Sequence, residues 1–280
     1  MIDLRLFETV EEYERARAME YSEPWTSLVD SIERVDYNMT EEERRERLKK
    51  QPLTFKVTSD GVIRWTSSYT NSSVYKTIQY SKNGGDWASI KSATGSSAPS
   101  IGVSAGDTVQ FRGTNNYYSS ATSRYNGFSG TTCSFEMEGN IMSLINSTNF
   151  SGLTSIPAAY AFCYMFFSCT GLTNAGNLLF PATGLTDYCY NNMFRACTSL
   201  TKAPELPAET LVSYAYNLMF SGCTNLNYIK CLATNISASN CTTNWLSSVA
   251  SSGTFVKAAS MTGWTTGVSG IPNNWTVKDA

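Results

Sequence analysis

Between Pro52 and Gly139 apolar and polar residues alternate in short runs. Leu53, Phe55 and Val57 alternate with Thr54 and Lys56, and Ile63 and Trp65 with Val62, Arg64 and Thr66. A period of two places one set of side chains on a single face, so each run predicts a half-buried strand. VYKTIQYSKNGGDWASI reads as strand, turn, strand, with Asn83-Gly84-Gly85 at the positions where a hairpin needs positive φ. TVQFRG and TCSFEMEG add two more strands. Short strands separated by Gly, Ser and Asn turns predict an antiparallel sandwich of immunoglobulin-like architecture over 52–139. The Cys-Trp-Cys spacing of true immunoglobulin domains is missing, so the likeness is one of architecture.

After residue 140 the pattern changes period. YAFCYMFFSCTGL, YCYNNMFRACTSL and YAYNLMFSGCTNL start at Tyr160, Tyr188 and Tyr214. They align Met165 with Met193 and Met219, and Phe166 with Phe194 and Phe220. They also align Cys169 with Cys197 and Cys223, and Leu172 with Leu200 and Leu226. The step is 28 and then 26 residues, within the leucine-rich-repeat range. Each unit reads as a Tyr-x-x-Met-Phe turn or short helix, then Cys-Thr-x-Leu, then an extended piece. One such coil cannot bury its own apolar side, so coils must stack and place like residues over like. These twelve residues are therefore the predicted repeat core. A further step of 26 from Met219 reaches Trp245, with Cys241 standing as Cys189 does to Met193. This predicts a worn last coil. NIMSLINSTNFSGLTSIP (140–157) is expected to cap the other end.

Residues 1–51 follow neither period. Thr9-Val10-Glu11-Glu12 and Thr40-Glu41-Glu42-Glu43 fit capping boxes that open short helices, and Val10 and Tyr13 make a thin apolar stripe. In the second helix the acids lie in the first turn and Lys49-Lys50 in the last, matching the helix dipole, and Pro52 ends it. Between the helices, YSEPWTSLVDSIERVDYN carries Tyr21, Pro24, Trp25, Leu28, Val29 and Ile32 with no local core to receive them. The expectation is an anchoring arm, ordered by a partner through Tyr21, Pro24, Trp25, Leu28 and Ile32. The alternative is a solvated linker.

Charge sharpens this boundary. Residues 1–51 hold 14 acidic and 9 basic side chains, against 9 acidic and 12 basic in the other 229. No basic patch points to nucleic acid, and no run of about 18 apolar residues points to a membrane span. The N-terminal MIDLRLFETVEEYERAR is charged where a secretion signal is apolar. The chain has no histidine, which removes Ser-His-Asp, Cys-His and Cys/His zinc arrangements. Seven of the eight cysteines fall in the repeat region, three at one repeat position. Buried free thiols are expected there rather than disulfides or a metal site, with Cys163 and Cys231 the exceptions by register. Asn235-Ile236-Ser237 carries no weight as a glycosylation site without a secretion signal. Asp187, Glu205 and Glu209, the only acids of the repeat region before Asp279, read as surface charges, not the paired carboxylates of a glycosidase. No catalytic, cofactor or metal residue is expected. Tyr117-Tyr118 and the Tyr125–Phe128 loop read as sheet-edge cover, with sugar stacking as the alternative.

CYNNMFRACTSLTKAPELPAETL resembles the BspA-type leucine-rich repeat of gut Bacteroidales surface proteins and their phages, over roughly 140–280. PLTFKVTSDGVIRW with TIQYSKNGGDW and AGDTVQFRG is similar to the immunoglobulin-like module that precedes such arrays. EPWTSLVDSIERVDYN is similar to segments that head virion proteins of crAss-like and related phages. The resemblance implies a multidomain, mainly β chain. Its parts are a mostly helical or extended arm (1–51), an immunoglobulin-like β-sandwich (52–139), and a short leucine-rich-repeat solenoid with caps (140–280).

For function the resemblance implies a non-enzymatic phage virion protein without cofactor. It would be a head fibre or capsid decoration, assembled in the host cytoplasm and shown on the virion surface. The arm would bind the major capsid protein or another virion protein. The repeats would meet host-surface polysaccharide or mucin glycan, and a homotrimer is expected by analogy. A bacterial cell-surface adhesin and a tail-associated receptor-binding protein are the alternatives.

Overall fold

The structure is a computed structural model that describes residues 39–280. The anchors Tyr21, Pro24, Trp25, Leu28 and Ile32, Val29 beside them, and the Thr9 capping box lie outside the described residues. The chain divides into two compact units, Met1–Arg44 and Arg45–Ala280. In the first, the Thr40 amide donates to Glu43 Oε2 at 2.8 Å and the Glu43 amide to Thr40 Oγ1 at 3.2 Å. This reciprocal cap starts helix α1 (Glu41–Lys50).

The second unit is mainly β. Residues 45–51, placed by sequence in the arm, belong to it: Leu48 is buried, and Asn140 Nδ2 donates to the Lys49 carbonyl at 3.0 Å. The strands are β1 (Leu53–Val57), β2 (Gly61–Arg64), β3 (Thr66–Ser67), β4 (Thr77–Lys82), β5 (Ala88–Lys91), β6 (Ser100–Val103), β7 (Thr108–Arg112), β8 (Asn126–Gly127) and β9 (Phe135–Asn140). They continue as β10 (Leu172–Leu179), β11 (Tyr228–Cys231), β12 (Gly253–Lys257) and β13 (Trp275–Asp279).

A six-stranded sheet runs β10-β9-β1-β7-β4-β5, with small β2-β6 and β3-β8 pairs beside it. Alternation along β1, β7 and β9 turns Leu53, Phe55, Val109, Phe111, Phe135 and Met137 inward, where all are buried. Phe55 packs on Phe111, Phe128 and Phe135 at 5.0, 5.0 and 4.3 Å between ring centres. Asn83 and Gly84 take φ of 53° and 72° in the β4–β5 hairpin, the conformation that the Asn-Gly pair allows.

The β1, β4, β5, β7 and β9 pairings are antiparallel, but β10 joins β9 in parallel. At that join Gly171 is needed, because a Cβ there would lie 2.1 Å from the Cys133 carbonyl oxygen. Beyond it the chain coils. One side of each coil continues the parallel pairing: Asn174 bridges to Lys202, Lys202 to Tyr228, and β11, β12 and β13 follow in register.

The other side is a ribbon of tight turns, not a helix. Its amides alternate in use. Met165 and Phe167 donate three residues back, to Phe162 and Tyr164, while Phe162, Tyr164, Phe166 and Ser168 donate to Cys189, Asn191, Met193 and Arg195 of the next coil, at 2.8–3.0 Å. The pattern recurs from 190–196 to 215–221 and from 216–222 to 241–247. Every fourth residue is left-handed: Tyr160, Tyr164, Ser168; Tyr188, Asn192, Ala196; Tyr214, Leu218, Gly222; Asn240, Asn244, Ser248. Reversing φ after each turn keeps the ribbon straight. It also costs non-glycine residues about 1 kcal/mol each, so cross-coil bonding must hold them there.

The stack begins inside this sheet region, residues 52–139. Tyr118 and Phe128 donate their amides to Ala161 and Met165 at 3.0 and 2.8 Å, as a preceding coil would. Their rings head two columns: Phe128, Phe166, Phe194, Phe220 at 5.3–5.6 Å, and Tyr118, Phe162, Tyr190, Tyr216, Trp245, Trp264 at 5.4–6.5 Å. The segment expected as the cap, 140–157, instead buries Ile141, Met142 and Leu144 under the sheet region and reaches the stack through Ile156, whose amide donates to Gly184. One apolar core runs from Leu53 to Trp275.

Candidate binding face

The twelve predicted repeat-core residues, Met165, Phe166, Cys169, Leu172, Met193, Phe194, Cys197, Leu200, Met219, Phe220, Cys223 and Leu226, are each fully buried. They build the stack and cannot touch a ligand. All eight cysteines are free and buried. The thiols of Cys169, Cys197 and Cys223 donate to the carbonyls of Phe128, Phe166 and Phe194 at 3.3, 3.1 and 3.0 Å, each reaching one coil back. A small apolar side chain with a weak donor suits that site. Burial pushes the Cys189 and Cys231 thiols up to about 12. Among the described residues no group of three or more Cys, Asp or Glu is placed to hold a metal.

The three acids separate. Glu205 ion-pairs with Arg45 at 3.1 Å and Lys230 at 2.9 Å, so it is a tie, not a free surface charge. Asp187 and Glu209 are exposed. Of the loop aromatics, Tyr118 and Phe128 are buried, and Tyr118 donates its hydroxyl to Leu144 O at 2.7 Å, so neither is open to sugar. Tyr117 is 41% exposed under the Lys76 ammonium, 4.0 Å from its ring centre.

The left-handed residues line the outer side of the ribbon as a grid of three columns, with Asn192 alone among them buried. In the first, Tyr160, Tyr188 and Tyr214 are half-buried and stack at 4.6 and 4.4 Å, and Asn240 continues the column. In the second, Tyr125 of the sheet region stacks on Tyr164 at 5.2 Å, with Phe167 edge-on to Tyr164 at 5.3 Å. Asn192, Leu218 and Asn244 follow. Burial raises the phenols of Tyr125, Tyr160, Tyr164 and Tyr188, so all are neutral hydroxyls at pH 7.

Behind the grid lies a chain of hydrogen bonds that all point one way. Arg195 Nη1 donates to Asn192 Oδ1 at 3.2 Å, Asn192 Nδ2 to Asn191 Oδ1 at 2.5 Å, Asn191 Nδ2 to Asn217 Oδ1 at 2.8 Å, and Asn217 Nδ2 to Thr243 O at 3.2 Å. Cys163 enters the same chain, its thiol donating to Asn191 Oδ1 at 3.5 Å. Asn191 and Asn192 are each 2% exposed. The Arg195 guanidinium lies beside Tyr164: burial raises that phenol, and the guanidinium charge lowers it against this larger effect. Among the described residues Arg195 has no carboxylate partner. Sequence reasoning missed this network. Its one visible sign is that Asn191 and Asn217 share a repeat position.

No protein-family model, curated protein or solved structure matches this chain. The arrangement itself offers a rigid, repeated, aromatic and amide-rich surface, suited to broad and shallow contact.

Proposed function

We propose that the chain is a non-catalytic display protein of a phage particle, a head fibre or capsid decoration. In this reading the sandwich is an immunoglobulin-like spacer and the stack is a BspA-type leucine-rich-repeat solenoid. The arm binds the major capsid protein or another virion protein, the assembly is a homotrimer, and the outer grid meets host polysaccharide or mucin glycan. The observation that carries the reading is the grid. Successive coils present Tyr160, Tyr188 and Tyr214 at one outward position, a geometry that multiplies weak contacts along one surface. Many copies per particle then raise avidity without stronger single sites. The N-terminal sequence supports attachment, because its aromatic and aliphatic anchors have no local core.

The test is incorporation. Particles assembled with a chain lacking residues 1–38 should lack the protein, while the isolated truncated chain keeps its fold. The cut stops short of residues 45–51, which the larger unit needs for Leu48 and Lys49. Wild-type incorporation of the truncated chain would overturn the attachment role.

A further inference from the structure

We propose that Arg195, with Tyr164, Phe167 and Tyr125, forms a subsite for an anionic sugar residue, one bearing a carboxylate or sulfate. The proposal rests on the display reading for the source of its ligand, and on geometry for the rest.

Three observations converge on this corner of the grid. First, rings from two parts of the chain meet here. Tyr125, Tyr164 and Phe167 form a three-ring corner with separations of 5.2, 5.3 and 5.9 Å, whereas the far end of the same face carries Asn240, Asn244 and Ser248. All three rings are half-buried, which leaves ring edges and part of their area to pack on the C–H face of a pyranose.

Second, a guanidinium sits beside the rings with no carboxylate partner among the described residues. Arg is the side chain whose planar donors match a carboxylate or sulfate in two-point fashion.

Third, that guanidinium is held in place from inside. An arginine on an ordinary solvated surface samples many rotamers. This one donates to Asn192, which is buried and is itself held by Asn191 beside it, and Asn191 in turn by Asn217 one coil along. Each amide in the run donates forward and accepts from behind, so the run polarises as a unit and leaves Arg195 as its outermost donor. A group held this way loses little conformational freedom when an anion arrives, which is how a functional first contact is supported by the residues behind it. Packing alone would require neither the cation nor its orientation.

The test is calorimetric titration of the full chain with three tetrasaccharides: hyaluronan (carboxylate only), chondroitin sulfate (carboxylate and sulfate) and chitotetraose (neutral). Both anionic sugars should bind saturably, about tenfold or more tighter than the neutral one, and weaken as salt rises. Arg195→Ala should lower anionic binding about tenfold and leave the neutral sugar unchanged, and Arg195→Lys should recover part of the loss. Tighter binding of chondroitin sulfate assigns sulfate as the preferred anion, and tighter binding of hyaluronan assigns carboxylate; each supports the subsite. Equal binding of all three sugars, unchanged binding by Arg195→Ala, or no saturable anionic binding up to about 10 mM would overturn it. Arg195→Ala should keep the wild-type thermal midpoint; if it does not, Arg195→Lys alone decides, and full anionic affinity in that variant would overturn the two-point contact. Failure here would leave particle incorporation unaffected, and failed incorporation would leave this titration unaffected.

Discussion

The sheet region and the coil stack bury the same kinds of side chain by different rules. In the sheet region, Phe55 meets four rings, one stacked at 15° and three tilted at 55–60°, so stacked and tilted contacts mix around one side chain. In the stack, Phe194 meets Phe166 and Phe220 at 5.3 and 5.4 Å with angles of 20° and 4°. A sheet-region residue answers to a unique surrounding, so its neighbours in sequence carry no copy of it. A stack residue answers to its own counterpart one coil away, so the chain must repeat. The two rules meet without a seam, because Tyr118 and Phe128 stand at coil positions although they belong to the sheet region.

The largest expected effect comes from breaking a column at its middle. Phe194→Ala removes a ring with partners on both sides and should cost about 3–5 kcal/mol, read from urea unfolding. Loss under about 1 kcal/mol would mean the column is not a shared interior.

Alkaline pH gives the next largest effect. Burial raises the folded-state pKa of Cys189 and Cys231, both in the stack, from 9.0 to about 12. The unfolded chain then releases these protons first. Their contribution to stability is complete below pH 9 and is lost as pH rises from there toward 12. Unfolding free energy followed against pH should fall across that window, and the double variant Cys189→Ala, Cys231→Ala should show a shallower fall. An unchanged slope would contradict the buried-thiol assignment.

The smallest effect changes sign between the regions. Ala196 has φ of 62° in the column that also holds Gly222 at 80°. Ala196→Gly relieves left-handed strain against the entropy that glycine costs, and should stabilise by roughly 0.5 kcal/mol. Ala98 in the sheet region is buried with φ of −63°, and Ala98→Gly should destabilise by about 1 kcal/mol. Thermal midpoints of the pair test the contrast directly; equal signs would break it.

Much of this was legible in the chain. The Met, Phe, Cys and Leu columns could be read because stacking demands identity at a fixed step. The Asn83-Gly84 hairpin was legible because few residues tolerate its backbone. Other features were hidden for definite reasons. Left-handed φ at Tyr160, Tyr164, Tyr188 and Tyr214 runs against local preference and is imposed by bonds to the next coil. Tyr118 and Phe128 act as a coil without sharing its motif, since only their amides and rings need to fit. They therefore read as loop aromatics although they are core. The Arg195 relay was hidden because Asn191 and Asn192 look like ordinary turn residues until Asn217, a whole coil from Asn191, is known as its partner.

If the coils and the sheet region share one cooperative interior, they open together, and native-state hydrogen exchange reads that opening. The cross-coil amides of Phe162, Phe166, Tyr190, Phe194, Tyr216 and Phe220 should exchange only through the same global opening as the amides of Phe55, Phe111 and Met137, with equal free energies and equal denaturant dependence. Exchange of the coil amides through a separate opening, well below the global free energy and independent of the sheet region, would contradict that shared interior.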